Sequence, residues 1–224
     1  MNASQEIGQI GQQRAAVYAW FSGLFASELD KNALDNLQSE PVEQWLNALS
    51  DEPLMQNSVS QFQQMIQAVT IRPDAILELS ADFASLFLMA TPVETQPYAS
   101  MHINKDNPRY YGQSSADMQN LLTKLGLQTH EAFHEPEDHL AIILELLSHL
   151  AYATSEQMDN QYELLMLQQQ QISQLLVWLP AFSTACQQHD KFGFYAALAD
   201  LTLSFIQSDR LWLAEVVPSP HLPQ

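Results

Sequence analysis

The sequence predicts an all-α protein, a multi-helix bundle of about ten helices in two packed halves joined by a hinge. Only six glycines occur among 224 residues, and apolar residues recur at steps of three and four along most of the chain. Glycine is costly in helix interiors, and this period places apolar side chains on one helix face. Prolines also stand where helices should begin or end. Hydrophobic residues make up 46% of the chain, enough to fill a sizeable core.

Four helices are predicted before residue 88. The first has an apolar face made of Ile7, Ile10, Val17, Tyr18, Phe21, Leu24 and Phe25. Pro41, Pro53 and Pro73 are each expected in the first turn of a following helix, where the missing N–H of proline has no partner to lose. The last of these helices continues to Phe87.

The helical pattern breaks between Met89 and Gly112, a stretch with three prolines and no sustained period. Loops of this length inside a compact domain are often functional, so we expect this one to close over a bound segment. The next helix should be capped by Ser114 or Ser115. Gly126 is well placed to end it.

The C-terminal part begins after an irregular stretch from Leu127 to His134. Further helices are predicted near 140–151, 159–179, 180–189 and 194–206, with a proline-bearing tail from Val217. The best boundary divides the chain into an N-terminal part (1–126), a hinge (127–135) and a C-terminal part (136–224), which can also pack as one domain. Because a short hinge between helical halves permits domain swapping, a monomer and a swapped homodimer both stay open.

The charge of the chain excludes one class of partner and favours another. Twenty-six acidic residues stand against eight basic ones, for a formal net charge of −18. Such a surface repels nucleic-acid phosphates and attracts cationic partners, although acidic surfaces are also common without any partner. With Cys186 as its single cysteine, no secretory signal and no membrane span, the chain is expected in the cytoplasm.

The segment His134-Glu135-Pro136-Glu137-Asp138-His139 resembles a damaged zinc-protease motif. That motif needs histidines four residues apart on one helix face, whereas these two are five apart. A metal-dependent hydrolase is therefore only an alternative, and we expect no metal, no catalytic residue and no cofactor. The simplest interpretation is a helix start, with Pro136 in the first turn and the acids against the positive end of the helix dipole.

Two short motifs resemble those of a known family. Glu135-Pro136-Glu137-Asp138-His139 fits the pattern E-P-x-D-H, and upstream Phe83-Ala84-Ser85-Leu86-Phe87 precedes Pro97-Tyr98-Ala99-Ser100. Together, in an acidic all-α chain of this size, they are similar to the TorD/DmsD/NarJ family of redox-enzyme maturation chaperones. The first aromatic of the upstream motif is Phe83, which has no hydroxyl.

The resemblance implies a cytoplasmic chaperone, not an enzyme, that binds the apo form of a molybdenum-cofactor reductase and its twin-arginine leader. It would favour cofactor insertion and prevent premature export, with trimethylamine N-oxide reductase as the expected client. The implied leader-binding or hinge residues are Glu135, Pro136, Asp138, His139, Tyr98, Ser100, Phe83, Leu86 and Phe87. Nucleotide binding stays open.

The acidity of the C-terminal half agrees with such a partner. Between Leu125 and Asp190 the chain has nine acidic residues and no lysine or arginine. A carboxylate such as Asp138 can pair with an arginine of the leader through two hydrogen bonds, and His139 can respond to pH. A general helical scaffold protein is the remaining alternative.

Overall fold

The computed structural model describes residues 3–89, 92–103 and 108–217, and the regular structure in these ranges is helical. The all-α prediction is confirmed. The helices are α1 (Ala3–Ala26), α2 (Lys31–Leu37), α3 (Glu40–Leu49), α4 (Gln56–Thr70), α5 (Ala75–Phe83), α6 (Ala99–Ile103), α7 (Gln113–Lys124), α8 (Leu140–Glu156), α9 (Gln161–Leu175), α10 (Leu179–His189) and α11 (Phe194–Val216). Within the described ranges, none has the length and apolarity that a membrane crossing requires.

Some helix boundaries follow the local signals of the sequence, and others do not. Pro41 lies in the first turn of α3, as predicted, and Gly126 adopts φ 69° directly after α7. Pro53 and Pro73 instead lie in the turns before α4 and α5. The predicted serine caps of α7 are also wrong, because α7 begins at Gln113 with Gly112 as its N-cap residue.

The chain forms two compact units, each assembled from separate segments. The first contains Met1–Ala26, Tyr98–Val177 and Asp209–Gln224, and the second contains Ser27–Pro97 and Trp178–Ser208. The predicted hinge at 127–135 lies inside the first unit. Division of the chain at that segment, and a swapped dimer across it, stay predictions.

The first unit is built on the packing of α1 against α8. Gly11 permits this packing, since a Cβ there would lie 2.7 Å from the carbonyl oxygen of Ala151. The hydroxyl of Ser22 donates to the carbonyl of Ala141 at 2.9 Å, and that of Ser148 donates to the carbonyl of Ala15 at 2.9 Å. These bonds satisfy polar atoms that a close helix pair would otherwise bury alone.

A buried ion pair ties the last part of α11 to α1. Arg14 donates through Nε and Nη2 to the carboxylate of Asp209, and the Tyr18 hydroxyl donates to the same carboxylate. Arg14 and Asp209 are 5% and 4% exposed. The helix was predicted to end near Ile206, but it continues to Val216 because these polar side chains are paired and buried.

Aromatic rings fill the core of the second unit. Phe83, Phe87 and Tyr195 meet with ring centroids 5.1 to 5.6 Å apart, a range typical of favourable edge-to-face contacts. The helix predicted to run through Phe87 ends at Phe83 and continues as a π-helical turn, Ala84–Leu88. The hydroxyl of Thr95 donates to the carbonyl of Leu86 and so satisfies a backbone group at this turn.

The stretch predicted as a loop from Met89 to Gly112 contains regular structure. A 3-10 turn (Val93–Thr95) and helix α6 occupy part of it. Positions 90, 91 and 104–107 lie outside the described residues, so closure of this stretch over a bound segment stays a prediction.

Candidate functional site

The E-P-x-D-H segment is a turn that leads into α8. His139 is the N-cap residue, with extended backbone (φ −64°, ψ 138°), and the helix starts at Leu140. The backbone N–H of His139 donates to the carbonyl of Pro136 at 3.0 Å. The expectation that Pro136 occupies the first helical turn is therefore wrong, since a tight turn separates it from α8.

His139 caps α8 through its imidazole ring. Its Nδ1 accepts a hydrogen bond from the backbone N–H of Ala141 at 3.1 Å, so Nδ1 carries no proton. The ring contacts the rings of Tyr98 and Phe133, with centroids 5.0 and 5.3 Å away. Burial lowers the pKa of His139 to about 3. The side chain thus stays neutral at physiological pH and does not serve there as the pH-responsive group considered from sequence.

Asp138 fastens the start of α6 to the turn before α8. Its Oδ2 accepts the backbone N–H of Ser100 at 2.7 Å, and its carbonyl accepts the backbone N–H of Ala99 at 3.2 Å. Asp138 is 1% exposed. Within the described residues, its Oδ1 and the Ser100 hydroxyl are buried without a hydrogen-bond partner. A two-bond contact with an external arginine cannot form in this conformation, because the carboxylate of Asp138 is buried.

Two neighbouring glutamates are held at the same turn but stay partly exposed. The hydroxyl of Tyr98 donates to Oε2 of Glu135 at 2.6 Å, and that of Ser115 donates to Oε2 of Glu137 at 2.7 Å. Burial, reinforced by the hydrogen bond to Glu135, raises the pKa of Tyr98 and keeps its hydroxyl protonated. Each glutamate thus accepts a hydrogen bond from a neighbouring hydroxyl, while its residue stays partly exposed.

A cavity of about 580 Å³ adjoins this turn through Phe133, whose ring contacts His139. Its wall is largely apolar, with ionisable side chains among the lining residues. The lining residues are Ser22, Ala26, Leu122, Leu127, Gln128, Thr129, His130, Ala132, Phe133, Ala141, Ile142, Glu145, Leu146 and His149. We call this cavity the apolar groove. Pockets that combine an apolar wall with a few polar groups are typical ligand sites.

The residues suggested by sequence fall into two groups. Tyr98, Ser100, Glu135, Pro136, Asp138 and His139 form one connected cluster in the first unit. Phe83, Leu86 and Phe87 are buried in the core of the second unit, at 4%, 1% and 2% exposure. They cannot contact a ligand unless that core opens.

Sequence reasoning missed Ser115 and Phe133. Ser115 was considered only as a helix cap, although its hydroxyl binds Glu137. Phe133 lies in the irregular stretch, where no periodicity marks it, and its aromatic side chain beside an acidic motif was the only available signal.

The geometry of the turn also bears on the metal-site alternative. Within the described ranges, no three side chains of His, Cys, Asp or Glu lie close enough together to hold a metal ion. Nδ1 of His139 already accepts a backbone N–H, and Asp138 accepts another. Asp138 and His139, two candidate metal ligands of the damaged zinc-protease motif, thus accept hydrogen bonds that build the turn.

Known proteins are similar to this chain along most of its length. The family model of the nitrate reductase delta subunit matches residues 48–184. A chaperone protein TorD from Salmonella arizonae is 42% identical, covering 88% of this chain and 90% of its own length. The chaperone protein TorD from Escherichia coli O139:H28 is 41% identical, covering 88% and 95%. The chain belongs to the TorD family.

The membership confirms the resemblance seen in the two sequence motifs. TorD-family relatives carry the name of a chaperone, in agreement with the prediction that the chain is a maturation chaperone and not an enzyme. A crystal structure of a putative redox enzyme maturation protein from Archaeoglobus fulgidus covers 91% of this chain and 94% of its own, at 18% identity and a TM-score of 0.46. That likeness is too low to add to the family assignment.

Proposed function

We propose that this TorD-family protein is a cytoplasmic chaperone that binds the apo form of a molybdenum-cofactor reductase and its twin-arginine leader. In this proposal the chaperone favours cofactor insertion and prevents premature export. The proposed client is trimethylamine N-oxide reductase, as the resemblance implies. The observation that carries the proposal is the apolar groove beside the E-P-x-D-H turn.

The groove matches the chemistry of such a leader, which joins a basic segment to an apolar one. The apolar segment would bury its side chains against Leu122, Phe133 and Leu146, which line the groove. Burial of apolar surface provides affinity that salt does not screen. The basic segment would lie against the exposed carboxylate of Glu145 and the partly exposed carboxylates of Glu135 and Glu137.

The two buried residues of the turn would position this surface without touching the leader. Asp138 and His139 are buried, and their contacts fix α6 and the first turn of α8. Ala141, Ile142 and Glu145 on α8 line the groove. Loss of the Asp138 or His139 contacts would therefore weaken leader binding through a displaced helix start, with no loss of a direct contact.

Calorimetric titration with a twin-arginine leader and with a scrambled peptide of equal charge tests the proposal. We expect selective binding that persists at physiological salt and weakens severalfold in Leu146→Ala and in Glu145→Gln. Glu163→Gln is the matched control, since Glu163 is an exposed helical glutamate outside the groove. Equal binding of both peptides that disappears with salt would show that net charge alone attracts them, and the proposal would fail.

A further inference from the structure

A second groove lies in the first compact unit, between α9 and the C-terminal part of α11. Its volume is about 700 Å³, and it is open to solvent along the surface of the two helices. Residues of α9 from Tyr162 to Ser173 form one wall. At a rise of 1.5 Å per residue this wall is about 16 Å long, or about three helical turns. We call this cavity the α9/α11 groove.

The α9/α11 groove presents large apolar side chains to solvent. Tyr162 and Met166 of α9 are 52% and 38% exposed, and Leu211 of α11 is 50% exposed. Tyr162 and Met166 stand four residues apart, which places them on the same face of α9. The neutral polar residues in the lining are Gln169, Gln170 and Ser173. An exposed apolar surface with a polar rim of this kind is typical of a protein-binding site.

Two opposite charges line the groove without neutralising each other. Arg210 on α11 and Glu163 on α9 are both exposed. Among the residues that the structure describes, neither takes part in an ion pair. Arg210 is thus a basic side chain without a carboxylate partner, in a chain with 26 acidic and eight basic residues. A carboxylate supplied by a partner would pair with it.

We propose that the α9/α11 groove binds an amphipathic helix of a partner protein that carries a carboxylate beside its apolar stripe. The apolar side chains of this helix would be buried against Tyr162, Met166 and Leu211, and its carboxylate would accept hydrogen bonds from the guanidinium of Arg210. Amphipathic helices commonly bind in grooves through apolar side chains spaced over two to three turns, which agrees with the length of the α9 wall.

The types of side chain in the groove suit this role. Tyrosine and arginine, here Tyr162 and Arg210, are the residues that most often provide the affinity of a protein interface. Met166 has a flexible thioether that adapts its shape to a partner. The remaining polar wall is uncharged apart from Glu163, so a helix can cover it at a small cost in desolvated charge.

The charges of the molecule disfavour other occupants. A twin-arginine leader would bring its arginines against Arg210, a like charge. A second copy of this chain would bring another net charge of −18 and a groove in place of a protruding surface. Nucleic acids and anionic membranes would be repelled by the net charge of −18.

This inference goes beyond the proposed leader binding and does not depend on it. It uses no residue of the E-P-x-D-H cluster and none that lines the apolar groove. The two proposals are tested with different peptides on different surfaces, so each can fail while the other stands.

The test uses the full chain with ¹³C-labelled methionine methyl groups, followed by NMR. The signal of Met166 reports on the groove, and Met166→Leu assigns that signal. The probe is a synthetic alanine-rich helix of about 16 residues with a stripe of leucines and one glutamate beside it. The control peptide has a lysine in place of that glutamate.

We expect a saturable shift of the Met166 signal and about fivefold tighter binding of the glutamate peptide than of the lysine peptide at physiological salt. Attraction by net charge alone predicts the opposite preference, because a chain with a net charge of −18 attracts the lysine peptide. The sign of the preference therefore separates a specific site from general electrostatic attraction.

Variants with matched controls locate the binding surface. Arg210→Glu should reverse the preference, so that the lysine peptide binds more tightly. Arg109→Glu makes the same change at an exposed arginine outside the groove and should keep the preference. Leu211→Asn should weaken the binding of both peptides severalfold, whereas Leu77→Asn, at an exposed leucine of the second unit, should leave it unchanged.

Several results would overturn the proposal. These are tighter binding of the lysine peptide by the wild type, a shift that never saturates, or an unchanged preference in Arg210→Glu. A shift of the Met166 signal on dilution of the protein alone would identify a second copy as the occupant instead. Displacement of the glutamate peptide by a twin-arginine leader would assign the groove to the leader and would equally contradict the proposal.

Discussion

The backbone N–H of Ser100 donates to Oδ2 of Asp138 at 2.7 Å across 38 residues of sequence. With the bond from the N–H of Ala99 to the Asp138 carbonyl, it joins the start of α6 to the turn before α8. Asp138, the acid of the E-P-x-D-H motif that was expected to pair with an arginine of the leader, is thus buried and bonded within the protein. The motif fixes the start of α8, whose residues Ala141 and Ile142 line the apolar groove.

Removal of the Asp138 carboxylate should destabilise the first unit. Asp138→Ala leaves the N–H of Ser100 buried without a partner, which costs about 1–3 kcal/mol. Asp138→Asn should cost less, since its amide oxygen can still accept that N–H. Urea denaturation measures both free energies of unfolding. Equal stability of Asp138→Ala and the wild type would show that the contact contributes nothing.

The free energy of unfolding should depend on pH through His139. Burial lowers its pKa to about 3, so the unfolded chain takes up a proton near pH 6.5 that the folded chain rejects until about pH 3. Stability is therefore lost as the pH falls through this interval, by up to about 1.4 kcal/mol per pH unit. Denaturant titrations between pH 7.5 and 5 measure the slope.

The variant His139→Asn is the control for this slope. Asparagine caps helices well and can accept the N–H of Ala141, but it takes up no proton. Asp82 acts in the opposite direction in the same pH range, because burial raises its pKa to about 6, so that the folded chain binds a proton first. The difference between wild type and His139→Asn removes that contribution. A difference that does not change with pH would contradict a buried neutral His139.

These contacts also show which features sequence can predict. Pro41 and Gly126 act through the local backbone, so their roles in α3 and after α7 follow from the chain alone. The capping role of His139 could not be predicted. Acidic residues and a proline ahead of an apolar helical pattern fit equally well a helix that begins at Pro136. The role of His139 as a cap depends on packing against Tyr98, which is 41 residues away.

Two further differences between the predicted and the observed helices also arise from features that the local sequence pattern does not show. The π-helical turn at Ala84–Leu88 keeps the apolar spacing of an α-helix in sequence, so periodicity cannot reveal it. Helix α11 continues beyond its predicted end near Ile206, where Asp209 pairs with Arg14, which lies 195 residues earlier. Local patterns predict elements, and only the tertiary partners decide where these elements continue.

Removal of one partner of the buried Arg14–Asp209 ion pair should destabilise the protein more than replacement of both partners by apolar residues. Asp209→Leu leaves a buried guanidinium unpaired and should destabilise the protein by about 3–5 kcal/mol. The double variant Arg14→Met/Asp209→Leu removes both charges and should recover most of this loss. Denaturation of the wild type, the two single variants and the double variant gives the coupling energy. A double variant as unstable as the sum of the single variants would show that the two charges do not interact.

Gly11 and Gly23 should respond in opposite directions to the same substitution, although both lie in α1. An alanine Cβ at position 11 would lie 2.7 Å from the carbonyl oxygen of Ala151, backbone that cannot move without separating α1 from α8. Gly11→Ala should therefore destabilise the protein by about 1–3 kcal/mol, as overpacking does elsewhere. At position 23 a Cβ meets no atom within 4 Å, so Gly23→Ala should stabilise it by up to about 1 kcal/mol through better helix propensity. Thermal or urea denaturation of the two variants measures these opposite changes in stability. A Gly11→Ala variant as stable as the wild type would mean that α1 and α8 are farther apart than the structure places them.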